Sequence, residues 1–348
     1  MNRSRIVVSK QLVLKKGRGT FSRRRFIQII GVTTAGFTVP IYYLEAETDS
    51  LPIVDPDSFI TDNDDFYILQ IGDPREINAK HWKLSVTGLV EKPVVFSYDQ
   101  ICQMESVTTQ RTLKCIGDPI GLDQMSNAEW IGVPLRDLVN QARIKPTAKQ
   151  FVFQCADGYH ARVPIERGMR KEVLLAYKMN GEDLPVEHGY PVRLLNPGHY
   201  GVKNPKWIIN IMLVEKHIDY WEKQGWDPIA RVKLATVIRL PNGDLPLNGG
   251  QKVTISGAAF DGGNYGGIKA VEISTDKEKS WHPADIWAKE SSLTWYLWKY
   301  DWQVPSGVEQ VEICARAITN DGTVQGVNGV DDEKGGAVGY HVINASVS

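Results

Sequence analysis

The chain has 348 residues, more than one ordinary hydrophobic core organises, which excludes a single small binding module and favours two domains. At 42% hydrophobic and 23% charged, with 31 Gly and 18 Pro, it is neither a disordered chain nor a bundle of membrane helices. The formal net charge of −1 is a cancellation: nine of the 40 Lys and Arg lie in residues 1–28, which hold no acid, so the rest is about ten charges negative and nucleic acid is excluded as a partner.

The basic head comes first. Ser22-Arg23-Arg24-Arg25-Phe26-Ile27-Gln28 precedes an apolar run over 29–44 that Thr33, Thr34, Thr38 and Pro40 interrupt, and residues 1–45 resemble a twin-arginine export signal. The run is too short and polar for a comfortable membrane span, and Leu44-Glu45-Ala46 is no clean cleavage site, so removal and retention as a membrane tether both stay open. Proteins exported by this route fold beforehand, commonly around a cofactor. A periplasmic or otherwise exported protein with a bound cofactor is therefore expected. Residues 46–65 are acidic and lack periodicity, which reads as a linker.

Folding is expected to begin at Phe66. Residues 81–90 alternate Trp82, Leu84 and Val86 on one side, a half-buried strand. Ser97 is placed to cap a helix-like stretch, and Pro134 to open another. Strands are read at 111–116, 151–155, 191–195 and 207–214, giving an α+β mixed domain over 66–227. Character changes at Asp227-Pro228. Strands at 252–260, 268–275, 296–304, 311–318 and 340–347, joined by turn chemistry such as Asn320-Asp321-Gly322, predict a β-sandwich over 228–348. The Gly-rich segment from Asp261 to Gly267 lies between two of those strands and is read as a hairpin loop rather than a phosphate cradle.

Phosphate-loop, dinucleotide, G-x-S-x-G and H-E-x-x-H patterns are all missing, which removes the nucleotide, α/β-hydrolase and zinc-protease classes. Cys102, Cys115, Cys155 and Cys314 form no C-x-x-C, arguing against zinc ribbons, thioredoxin chemistry and c-type haem; whether any of them pair is open. Cys115 ends a strand and precedes the tight loop Ile116-Gly117-Asp118-Pro119-Ile120-Gly121. Downstream, His188, Arg193, Lys203 and Lys206 gather around loops at strand ends. An Arg fork and a Lys point charge are what a buried phosphate needs, and clustered cations in an acidic body need a reason.

Taken in order, Thr112-Leu113-Lys114-Cys115, residues 174–182, residues 187–194 and Gly201-Val202-Lys203-Asn204-Pro205-Lys206-Trp207 are similar to the sulfite oxidase family of molybdopterin enzymes. Residues 271–276, Ser280-Trp281-His282-Pro283 and Tyr340-His341 resemble that family's immunoglobulin-like dimerisation domain. The resemblance implies molybdenum on molybdopterin, with Cys115 as thiolate ligand and the one catalytic residue named. It also implies pterin or phosphate contacts from Tyr67, Gln70, Asp157, His188, Arg193, Asn204, Pro205 and Lys206, and a homodimer. Three positions depart from sulfite oxidases proper: no basic segment follows Cys115, Leu69 stands where an arginine is expected, and Trp226 where a tyrosine is expected. A sulfite dianion wants paired cations, so sulfite is not the expected substrate. No cytochrome-like segment precedes Phe66, so electrons are expected to pass to or from a separate carrier such as a cytochrome. The expected activity is two-electron oxygen-atom transfer on a small molecule. The alternatives are a sulfoxide-type reductase of the same family and an exported binding protein without the cofactor.

Overall fold

Two five-stranded sheets make up the first half of the described molecule and two four-stranded sheets the second. The computed structural model describes residues 27–28, 58–242, 246–326, 330 and 332–348, so the basic head and its apolar run lie almost entirely outside the described residues. Among the described residues no helix is long and apolar enough to cross a membrane.

In the first sheet, Glu182–Asp183, Leu174–Met179, Met125–Pro134 and Val107–Lys114 run antiparallel in that order, and Arg193–Leu195 also pairs with Leu174–Met179. The second has the order Val94–Ser97, Lys83–Gly88, Ile208–Val214, Gln150–Cys155, His160–Pro164, parallel only between Lys83–Gly88 and Ile208–Val214. Leu84, Val86, Phe151, Phe153, Ile211 and Leu213 meet Val133, Leu175 and Leu194 in one fully buried core. Each such side chain contributes roughly 1.5–3 kcal/mol by leaving water.

Sheet dominates more than the sequence suggests. The helices Tyr98–Cys102, Leu135–Val139 and Ile165–Gly168 are single turns, which corrects the expected α+β balance to a sheet-rich domain. Ser97 does cap: its Oγ accepts from Gln100 N at 3.2 Å while the Gln100 side chain accepts from Ser97 N at 2.8 Å. A good cap starts a helix without lengthening it, and helices this short rely on packing for stability.

Residues 58–65 behave as a strap, not a linker. Thr61 N donates to Asn127 O at 2.8 Å, Asn180 Nδ2 reaches Thr61 O at 2.9 Å, and Thr61 is buried. Polar composition there satisfies buried backbone groups rather than marking a solvated segment.

In the second half, Ala235–Leu240, Lys252–Phe260, Tyr296–Gln303 and Asp285–Ala288 form one antiparallel sheet, and His282–Pro283, Ile268–Ser274, Gln310–Thr319 and His341–Ser346 the other. Ile255 and Trp298 from one sheet meet Val271, Ile273 and Ile313 from the other in a shared core, as in sheet-on-sheet packing. The strands flanking Asp261 therefore belong to different sheets, and the expected hairpin is an inter-sheet crossover instead. Buried Asp261 holds it by accepting from Gly263 N at 2.8 Å and from Tyr265 N and Gly267 N at 3.0 Å.

The halves are welded together. Ile116, Met125, Tyr200 and Trp226 pack with Val237, Phe260, Trp295 and Leu297 in one buried cluster. A loop of the second half also crosses over: Asp227 N donates to Lys334 O at 2.9 Å and Lys334 Nζ to Gln224 O at 3.2 Å, while Lys233 Nζ, within the second half, holds the loop by donating to Gly336 O at 2.9 Å.

Candidate active site

The Val107–Lys114 strand delivers Cys115 to the lining of a pocket that opens to solvent. Cys115 N donates to Gln124 O at 3.0 Å, closing the loop after the cysteine, and Asp118 Oδ1 accepts from Gln124 N at 3.1 Å inside it. The other Asp118 oxygen forms a buried ion pair with Lys114. Burial, then the Asp118 charge, pushes the Cys115 thiol up to about 12. An anionic sulfur there needs a positive partner, and the adjacent Lys114 is already engaged.

A second group of residues comes from the loops around Arg193–Leu195 and Gly201–Lys203. Arg193 is 5% exposed; its Nη1 donates to His188 O at 3.1 Å, its Nη2 lies 3.4 Å from Asn204 O, and its Nε has no partner. Lys206 Nζ donates to Gln70 Oε1 at 2.8 Å and Glu187 O at 2.7 Å. All these acceptors are neutral, and among the described residues neither cation has a carboxylate at salt-bridge distance. Burial lowers the Arg193 pKa to about 10, and burial followed by the Arg193 charge lowers that of Lys206. Buried Arg193 and half-buried Lys206 lie side by side, the Lys206 charge favoured by Asp157 and Glu187, and the pair can take an anion. Gly189 permits the arrangement: at φ +115° it carries no Cβ, which would sit 3.0 Å from Lys206 Cβ and 3.1 Å from Arg193 Cβ.

All nine residues singled out from the sequence, Tyr67, Gln70, Cys115, Asp157, His188, Arg193, Asn204, Pro205 and Lys206, line this one pocket. Lys203 does not; it turns away into a buried ion pair with Asp219. His188 is fixed by a 2.8 Å contact from Nε2 to Asn63 O and by the edge of Phe66. Asn204 organises the loop, with Oδ1 accepting from Asn196 N at 2.6 Å and Nδ2 donating to Tyr200 O at 2.9 Å. Asp157 Oδ1 accepts from Tyr159 N at 3.0 Å, and burial raises its pKa. Leu69 and Trp226, noted above as departures, line the pocket too.

Sequence reasoning missed Tyr159, Val202, Trp207 and Trp221 as lining residues. Tyr159 follows Asp157 by two residues and its OH donates to Val202 O at 2.6 Å, a link no spacing rule exposes. Among the described residues no group of three or more His, Cys, Asp or Glu could hold a metal. A metal here would have one protein ligand, the Cys115 sulfur, and take the others from a carrier. An open pocket with a soft sulfur in its lining and an orphaned, buried Arg193 Nε beside Lys206 fits a phosphorylated organic carrier of a soft, redox-active metal.

Fold and pocket thus define a cofactor-dependent oxidoreductase architecture, and comparison with known proteins gives its lineage. Residues 71–221 match the oxidoreductase molybdopterin binding domain and residues 227–331 the Mo-co oxidoreductase dimerisation domain. Mitochondrial sulfite oxidase of Rattus norvegicus is 26% identical over 77% of this chain and 58% of its own length. Nitrate reductase [NADPH] of Aspergillus niger is 26% identical over 84% of this chain and 41% of its own. The chain thus spans about half the length of these relatives. The sulfane dehydrogenase SoxCD crystal structure from Paracoccus pantotrophus shares the fold at a TM-score of 0.74 and 24% identity, covering 92% of this chain and 96% of that one. This chain belongs to the sulfite oxidase family, whose members carry molybdenum on molybdopterin.

Proposed function

We propose that the protein is an exported molybdopterin-dependent oxidoreductase that moves one oxygen atom and two electrons between water and a small substrate. In the oxidative direction the balance is substrate plus water giving oxidised substrate, two protons and two electrons, the electrons passing to a separate carrier protein. The observation that carries this reading is the pairing, in one pocket, of a buried sulfur with two cations, buried Arg193 and half-buried Lys206, that form no salt bridge among the described residues. Cys115 would ligate the metal, and Arg193 and Lys206 would clamp the carrier's phosphate, with Asn204 and Pro205 shaping the loop over it and His188 supporting Arg193 through its carbonyl. Tyr67, Gln70 and Asp157 would face the pterin. Bound there, the group supplies two-electron redox chemistry; the protein supplies orientation, dryness and fixed charge.

Export follows from the twin-arginine-like head. The two-sheet C-terminal unit is read as immunoglobulin-like and as a homodimer interface, with support from its match to the dimerisation domain. A sulfoxide-type reductase is the second reading, favoured by the apolar Leu69 and Trp226 in the lining of the same pocket. Elemental analysis of protein made in a molybdopterin-producing host tests the proposal: one molybdenum per chain is expected, and its absence leaves the cofactor-free binding protein. Cys115→Ser should stay folded and lose at least 100-fold in dye-linked turnover; full turnover in that variant removes the assignment.

A further inference from the structure

Lys203 stays out of the pocket, yet it joins two of the segments that line it. It closes the short turn Gly201–Lys203, and its ammonium forms an ion pair with Asp219, the two residues being 4% and 3% exposed. Gly201, Val202, Asn204 and Lys206 beside Lys203 all line the pocket, and so does Trp221, which follows Asp219 closely in the chain. One buried contact thus ties the loop that brings Lys206 to the loop that brings Trp221 and Trp226.

Asp219 is the junction of three segments. Its Oδ1 accepts from Arg162 N at 2.6 Å on the His160–Pro164 strand, its Oδ2 takes the Lys203 ammonium, and its own N donates to Glu222 Oε2 at 3.3 Å. Arg162 Nε closes the ring by donating to the same Glu222 oxygen at 3.1 Å. Burial pushes the Asp219 carboxyl up, and the Lys203 charge pulls it back. Such a pair is a costly fastening, since apolar side chains of similar volume often stabilise a buried site as well.

The far end of the tryptophan loop is fixed separately, by Lys334 Nζ on Gln224 O at 3.2 Å and Asp227 N on Lys334 O at 2.9 Å. With that end held from the second half, a shift of the 201–206 segment passed through Asp219 has to be taken up by Trp221 and the residues just after it. The Trp221 and Trp226 rings, 5.0 Å apart between centroids, then adjust together. Tyr159 runs in parallel, its OH donating to Val202 O at 2.6 Å and its ring 5.7 Å from that of Tyr220.

We propose that Asp219 is a positioning residue: through Lys203 it passes the seating of a phosphate at Arg193 and Lys206 to the tryptophan loop, which takes a fixed placement once the cofactor is bound. The proposal rests on the cofactor reading above. Its test is hydrogen exchange over residues 215–227 in the full chain, made in a molybdopterin-producing host and in a host that makes none, with molybdenum and pterin assayed in each. Loading should slow that exchange about tenfold. The Lys203→Met, Asp219→Asn double variant removes both charges and keeps an acceptor for Arg162 N. It should take up the same molybdenum yet slow exchange by no more than about threefold, the remainder passing through Tyr159. Lys203→Arg, which keeps the pair, should show the full response. A double variant that responds fully or takes up no molybdenum overturns the proposal. So does a Lys203→Arg protein that responds no better than the double, or a wild-type loop that exchanges equally when loaded and empty. Each of these leaves the cofactor reading standing, whereas wild-type protein without molybdenum or pterin from the producing host overturns both.

Discussion

Lys206 shows how a single side chain can work against stability for the sake of a ligand. Its ammonium is half-buried with only neutral hydrogen-bond acceptors, and desolvation and Arg193 disfavour its charge more than Asp157 and Glu187 favour it. Replacing a poorly compensated charge in a desolvated site by an apolar group of similar length is neutral or stabilising. Lys206→Met is therefore expected to leave the unfolding free energy of cofactor-free protein unchanged or raise it by about 1 kcal/mol while weakening cofactor retention. Chemical denaturation of the cofactor-free form, with pterin and molybdenum assays of the loaded form, reads both. A variant whose cofactor-free form is less stable and whose retention is unchanged contradicts the anion-site reading. At this scale the sequence was informative, because thiol, imidazole, guanidinium and ammonium groups have few uses in an acidic chain. What stayed hidden was partnering: Lys203 and Lys206 look alike in sequence, yet Asp219 neutralises one and the pocket exposes the other.

Among the elements, Met125–Pro134 was the least legible and is among the most important. It lies between Val107–Lys114 and Leu174–Met179, and eight of its ten residues are buried, so no alternation of polar and apolar residues marks it. Lys83–Gly88, whose alternate residues Leu84 and Val86 are fully buried, was readable for the opposite reason. Gly132 lets the central strand approach its neighbour: a Cβ there would lie 2.6 Å from Leu175 O and 2.8 Å from Ala176 Cα. Backbone atoms in a ladder cannot yield as a flexible side chain can. Gly132→Ala should cost about 3 kcal/mol, seen as a shifted denaturation midpoint with an unchanged slope. An unchanged midpoint would mean that the sheet opens there at little cost.

For the whole molecule, two half-buried histidines, His199 and His341, lie along the seam between the halves. His199 bridges to Arg231, and His341 Nδ1 accepts from Ile238 N at 2.8 Å while its ring sits beside Gly121 of the loop after Cys115. Burial, above all, lowers both from the ordinary 6.5 to about 4. The unfolded chain then takes up protons near pH 6.5 and the folded chain only near 4. Their contribution is complete above pH 6.5 and is lost as pH falls towards 4, on the order of 3 kcal/mol for each at most. Thermal unfolding between pH 7.5 and 4 should show this decline, and a His199→Gln, His341→Gln double variant should show less than half of it. Equal declines in both proteins would place the acid sensitivity elsewhere.

The crossing of residues 332–336 onto Gln224 and Asp227 bears on how such enzymes could diversify or be re-engineered. A chimera that keeps the cysteine-bearing half and borrows its C-terminal half from a relative would receive a foreign buttress behind the loop that carries Trp221 and Trp226, and with it a reshaped pocket, although no residue lining that pocket had been exchanged.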